Sequence, residues 1–165
     1  TTVRDLAQEV GIQSGSIFHH FKSKEEILRC VMEEVIHFNT GRMREGLDKS
    51  AGPRDKLLAL IRSELNSING ETGEAMAVLI YEWRCLTPES QEHILELRSH
   101  YEQLWLDTLQ EAQQAGLIAP QRDLFVLRRL MAGAISWSHY WYKTDGEIKL
   151  DQLAHQALFL ALHES

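Results

Sequence analysis

Residues 1–28 read TTVRDLAQEVGIQSGSIFHHFKSKEEIL. Thr2, followed three residues later by Asp5, resembles a capping box, and Val3, Leu6, Ala7 and Val10 recur behind it at helical spacing. That spacing predicts a helix over 3–10; Gly11 suits a helix end with positive φ, and Ile12 plugs the corner that follows. A second short helix is expected over 14–21, with Ile17 and Phe21 inward at i and i+4. Ser14, Ser16, Phe18, His19 and His20 are left outside or on its flank. Ser23 and Glu26 form a second capping box, with Lys22 and Lys24 on either side of the cap. A helix, a glycine turn, a short helix and the capped start of a third make a helix-turn-helix, which places one helix in the DNA major groove. A helix N-terminus with free N–H groups and lysines beside it is a phosphate clamp.

Working outward, the third helix continues through Leu28, Val31, Met32, Val35 and Ile36 to about Leu47. It is long enough to carry a change in the rest of the chain to the head. The Ala51-Gly52-Pro53 break precedes an amphipathic helix through Leu57, Leu58, Ile61, Leu65 and Ile68. Residues Glu74–Leu86 are apolar almost all round and predict a buried central helix. Thr87-Pro88 supplies a cap and a proline at the first helical position of a long helix, which Gly116 closes. Asp123 caps the next helix, Asp145-Gly146 makes a turn, and 150–162 is the last helix. No segment alternates like a strand. The fold class is all-α, with about eight helices: a head over 1–46 that includes the start of the connecting helix, and a helical-bundle body over 47–165. A three-helix head needs a preceding helix to cover the apolar faces of the next two, so a first helix is expected beyond the sequence given.

Apolar residues at 44% and charged residues at 25% describe a globular chain, and no run reaches membrane-span length. The net charge of -7 argues against DNA binding until its distribution is considered. Over residues 1–24 three basic side chains (Arg4, Lys22, Lys24) outnumber two acidic ones, so the acidic excess lies in the body. Cys30 and Cys85 lack CxxC spacing and read as buried free thiols in a reducing cytosol. The eight histidines show no HxxxH or HExxH pattern, so neither a metal site nor a cofactor is expected.

The same opening stretch resembles the DNA-binding head of the TetR family of transcriptional regulators, through Thr2, Ala7, Gly11, Ile12, Phe18, Phe21 and Lys24. The motif covers about a sixth of the chain. The resemblance implies a cytoplasmic, ligand-controlled repressor, with Thr2, Ser16, His19 and Lys24 on the operator and Ser14 and Gly15 allowing close approach. Phe18 stands where the family often has a tyrosine that donates to phosphate, and Gln13 where it often has a Ser or Thr cap. The resemblance also implies a homodimer built from the last two helices, here about Leu124–Tyr142 and Leu150–Leu162. The Ala132-Gly133-Ala134 run suits close helix approach there.

In the body, Arg98, Tyr101 and Trp105 share one face of a helix at i, i+3 and i+7, and Trp137 and Trp141 lie i, i+4 on another. With Tyr81 and Arg84 they suggest an aromatic pocket with a guanidinium at its mouth, suited to an elongated apolar ligand with an anionic end. Each of these residues taken singly is better explained by the bland alternative, the aromatics as core packing and the arginines as solvated surface. The stretch SWSHYWYKTDGEI (136–148) is similar to regulators that answer to acyl-CoA thioesters. An all-α enzyme or a helical adaptor using that cavity is the alternative, but no nucleophile with a base and no nucleotide-binding glycine motif supports catalysis.

Overall fold

The computed structural model describes residues 22–162, apart from 71, 74–76 and 78–80. The two head helices expected before residue 22 lie outside the described residues, and so do Thr2, Ser14, Gly15, Ser16, Phe18, His19 and His20. Among the described residues the regular elements are all helical. They are α1 (Lys24–Asp48), α2 (Pro53–Asn69), α3 (Pro88–Gln114), α4 (Leu124–Trp141) and α5 (Leu150–Ala161), with a 3-10 turn at Trp83–Cys85 before α3.

Local chemistry sets the boundaries. Ser23 Oγ accepts from the Glu26 N–H at 3.2 Å, while the Glu26 carboxylate accepts from the Lys22 N–H at 2.8 Å, one residue ahead of the cap itself. Thr87 Oγ1 accepts from the Ser90 N–H at 3.2 Å, and Asp123 Oδ1 accepts from the Val126 N–H at 3.1 Å. Pro53 and Pro88 open α2 and α3, where the missing N–H costs nothing. Gly116 has φ +79°, and the reversal it permits lets the Leu117 N–H donate to the Ala112 carbonyl at 2.9 Å.

Helix α2 packs against each of the other four helices. Its apolar stripe, Leu57, Leu60, Ile61 and Leu65, is buried with Met43 of α1, Trp105 and Leu109 of α3, Met131 and Ile135 of α4, and Leu158 of α5. A second, smaller core joins Leu28, Met32 and Ile36 of α1 to Leu86 and Ile94. Helix α1 therefore belongs to two cores, one near its head end and one near its body end.

Two expectations need correction. The segment ending at Leu86 is not buried all round: Tyr81 is 76% exposed, and the helix tightens at Trp83–Cys85 so that the Leu86 N–H donates to the Trp83 carbonyl at 3.2 Å. The chain has to turn there before α3 starts, and a turning segment cannot keep every side inward. The second correction concerns the thiols. Both cysteines are free, but Cys85 sits on that turn and is exposed, while Cys30 is half-buried.

Candidate functional site

The interior of the body holds a charged cluster that the sequence reading did not single out. Arg128 of α4 is 3% exposed and faces two carboxylates. Its Nη1 donates to Glu64 Oε2 of α2 at 3.1 Å, its Nε to Glu102 Oε2 of α3 at 2.7 Å, and its Nη2 to Glu102 Oε1 at 2.8 Å. The guanidinium also lies over the Trp105 ring, 4.2 Å from its centroid. Burial pushes the Glu64 carboxyl up, and the Arg128 charge opposes that rise. Burial works against the Arg128 charge too, but the hydrogen bond to Glu102 and the charge of Glu64 outweigh it and raise the group. Tyr101 is partly exposed along its length, yet its hydroxyl lies inside; burial first, and then the Glu64 charge, hold it well above the usual phenol range. The Trp105 indole N–H is buried near that hydroxyl without meeting an acceptor at hydrogen-bond geometry.

A signal for this cluster is present in the pattern. Position 128 falls on the same stripe as Leu127, Met131, Ile135 and Ser138, and position 64 on the stripe of Leu57, Leu60 and Ile61. Charged residues on otherwise apolar stripes call for a partner.

The remaining candidates sit elsewhere. Arg98, on the same helix as Tyr101 and Trp105, is exposed, as are Arg84 and Tyr81. Trp137 and Trp141 lie on the outer face of α4, so the structure does not gather these residues into one aromatic pocket. The cause is register: the inward residues of α4 are 127, 128, 131, 135 and 138, and 137 and 141 fall outside the arc they form.

That outer face is apolar and in solvent. Phe125, Val126, Leu130, Trp137, Tyr140 and Trp141 of α4 join Phe159 and Leu160 of α5. Trp137 and Tyr140 touch, with ring centroids 4.8 Å apart. Between the start of α4 and the end of α5 runs an open groove of about 460 Å3, lined by Val126, Leu127, Leu130, Met131 and Leu160, with Arg122 and Asp123 at its rim. Arg122 Nη1 donates to the Leu160 carbonyl at 3.0 Å and to the Ala161 carbonyl at 3.2 Å, closing the end of α5. A single-chain surface rarely leaves so continuous an apolar patch unless something covers it.

At the head end, Lys22 and Lys24 are exposed beside the first turn of α1. Next to them Glu25 Oε1 accepts from the Thr87 N–H and from Thr87 Oγ1, each at 3.2 Å, which ties the start of α1 to the cap of α3. Hydrogen bonding from Ser90 and from the Thr87 backbone holds the Glu25 carboxyl below the usual carboxylate range. Further along, Glu33 of α1 meets His93 Nε2 of α3 at 3.1 Å. Among the described residues, no helix is long and apolar enough to cross a membrane.

Comparison with known proteins accounts for both regions. The family model for a tetracyclin repressor-like C-terminal domain matches residues 50–164, and that for bacterial regulatory proteins of the tetR family matches residues 1–31. The chain belongs to the TetR family. The HTH-type transcriptional repressor KstR2 of Mycolicibacterium smegmatis is 33% identical over 98% of this chain and 79% of its own length. A crystal structure described as the superantigen PfiT is 56% identical, with a TM-score of 0.82 over 100% of this chain and 87% of that one. The transcriptional regulator FadR of Bacillus subtilis, in complex with stearoyl-CoA, is 27% identical, with a TM-score of 0.69 over 97% of this chain and 86% of the other. The TetR resemblance carried by residues 1–28 therefore extends through the body.

Proposed function

We propose that this TetR-family protein is a ligand-responsive transcriptional repressor in the cytoplasm, which binds operator DNA as a homodimer and is released by a small molecule of the acyl-CoA class. The observation that carries this is the similarity to a repressor that runs through head and body alike. On this reading Thr2, Ser14, Gly15, Ser16, Phe18, His19, His20, Lys22 and Lys24 meet the DNA. The ligand is taken by the body, where Tyr101 and Trp105 lie beside the Arg128 cluster, whereas Tyr81, Arg84 and Arg98 are exposed and not gathered with them. Trp137 and Trp141, outward on α4, have a stronger claim on the dimer surface than on the ligand.

The physical link is α1. It starts at Lys24, beside the head, and ends beyond Met43, in the main core. A ligand with greater affinity for one arrangement of the body shifts α1, and with it the spacing of two heads that must match two half-sites. The test is a gel shift of the DNA flanking the protein's own gene, with and without stearoyl-CoA or free CoA. A retarded band lost with the thioester and kept with CoA supports the reading; no band with the full chain overturns it.

Superantigen activity is a second reading, favoured by the 56% identity to the protein described as one. A T-cell stimulation assay with the purified chain decides it.

A further inference from the structure

Helix α2 ends on Asn69-Gly70, a dipeptide with a chemistry of its own. An asparagine side chain is open to attack at Cγ by the backbone nitrogen of the next residue, and a following glycine, having no Cβ, leaves that approach unhindered. In this sequence Asn39 precedes Thr40 and Asn66 precedes Ser67, so Asn69 alone of the asparagines precedes a glycine. The turn fixes that glycine. A Cβ at Gly70 would stand 2.5 Å from the Asn66 backbone carbonyl oxygen, closer than a side chain can come. The end of α2 therefore carries a reactive pair that it cannot exchange for a stable one.

Hydrogen bonds hold both reactants. The Gly70 N–H, which must lose its proton before it attacks, donates to the Asn66 carbonyl at 2.8 Å. The Asn69 amide nitrogen Nδ2, the group that must leave, donates to the Leu65 carbonyl at 3.2 Å and to Ser138 Oγ of α4 at 2.8 Å. Ser138 is 1% exposed, and its own hydroxyl donates to the Ile135 carbonyl at 2.6 Å, which leaves the oxygen's lone pairs for the amide. Gly70 is exposed, so water and hydroxide reach the pair.

We infer that Asn69 is a deamidation site, held in check by the fold and guarded by Ser138. When the end of α2 opens, the Gly70 nitrogen gives its proton to hydroxide and adds to Asn69 Cγ. The bond from Cγ to Nδ2 then breaks and ammonia leaves, closing a five-membered imide. Water opens the imide at either carbonyl and yields aspartate or its isoaspartyl isomer, so the net change is water in and ammonia out. The product does not fit where the amide sat. A carboxylate has no hydrogen to donate to the Leu65 carbonyl, and Ser138 can donate to it only by releasing Ile135. Conversion therefore loosens the contact between α2 and α4, and it accumulates with each local opening.

The test incubates the full chain at mildly alkaline pH, folded in buffer and unfolded in guanidinium chloride, and follows the peptide bearing Asn69 by mass and by isoaspartate content. The folded parent should convert more slowly than the unfolded chain by about tenfold or more. That comparison needs no variant. Ser138→Ala should convert about fivefold faster than the folded parent, because one hydrogen bond to the amide is gone, while the two convert at the same rate once unfolded. Asn69→Asp, which places the product directly, should melt about 3–6 °C below the parent. Conversion equally fast in the folded and unfolded parent, or at the parent's rate in folded Ser138→Ala, overturns the proposal. So does an Asn69→Asp chain that melts with the parent.

Discussion

The inner face of α4 buries a guanidinium between Glu64 and Glu102, while its outer face holds Val126, Leu130, Trp137 and Trp141 in solvent. Each face inverts the usual distribution of polar and apolar groups. The difference lies in where the partner comes from. Arg128 is completed within the chain by carboxylates from α2 and α3, so the inner face fixes how three helices of one copy sit together. Among the described residues the outer face has no partner of comparable area, and in the proposed homodimer a second chain completes it. One helix thus joins the packing of the monomer to the assembly of the dimer.

The largest expected effect falls on the inner face. Arg128→Ala leaves Glu64 buried beside no cation and should cost about 3–5 kcal/mol of folding stability in urea denaturation. Replacing the pair together, Glu64→Leu with Arg128→Met, should recover most of that loss. A single variant as stable as the parent would mean that the two faces do not differ as described. A smaller effect, confined to assembly, is expected outside. Trp137→Ala should weaken the dimer about 10–100-fold by sedimentation and change monomer stability by no more than about 0.5 kcal/mol. Loss of the monomer fold in that variant would erase the distinction between the faces. The smallest effect belongs to neither face. Because the folded Glu25 carboxyl titrates below its ordinary value of 4.5, its contribution is complete above that pH and is lost as pH falls through the lower folded value. The stability gap between the parent and Glu25→Gln should therefore shrink on acidification below pH 4.5, with dimerisation unchanged. A gap that grew instead would contradict the pairing with Thr87 and Ser90.

Much of the fold could be read from local signals. Thr87-Pro88, Asp123, Gly116 and the Ser23 cap each act through neighbouring residues, and each marks the boundary expected of it. The family was legible for a similar reason, since its motif lies within 28 consecutive residues. The arginine cluster was not, because its members are separated by 64 and 26 positions and meet only after three helices pack. The hint lay in charged residues at stripe positions 64 and 128, which periodicity alone reads as interruptions. Sequence alone puts Trp137 and Trp141 with the ligand because α4 is apolar on more than one face, and spacing does not say which face turns inward. Packing decides it, with Met131 at the centre of the inward arc and Arg128 at one edge.

The proposed function requires coupling between the DNA head and the body. Linkage makes that coupling reciprocal: if stearoyl-CoA lowers affinity for the operator, the operator must lower affinity for stearoyl-CoA by the same factor. Titration calorimetry of stearoyl-CoA into the free dimer, and into the dimer saturated with its operator, measures this directly. The account predicts weaker binding to the DNA-bound dimer, by the factor that the thioester takes from DNA binding. Equal affinity in the two titrations, with the thioester bound in both, would contradict it.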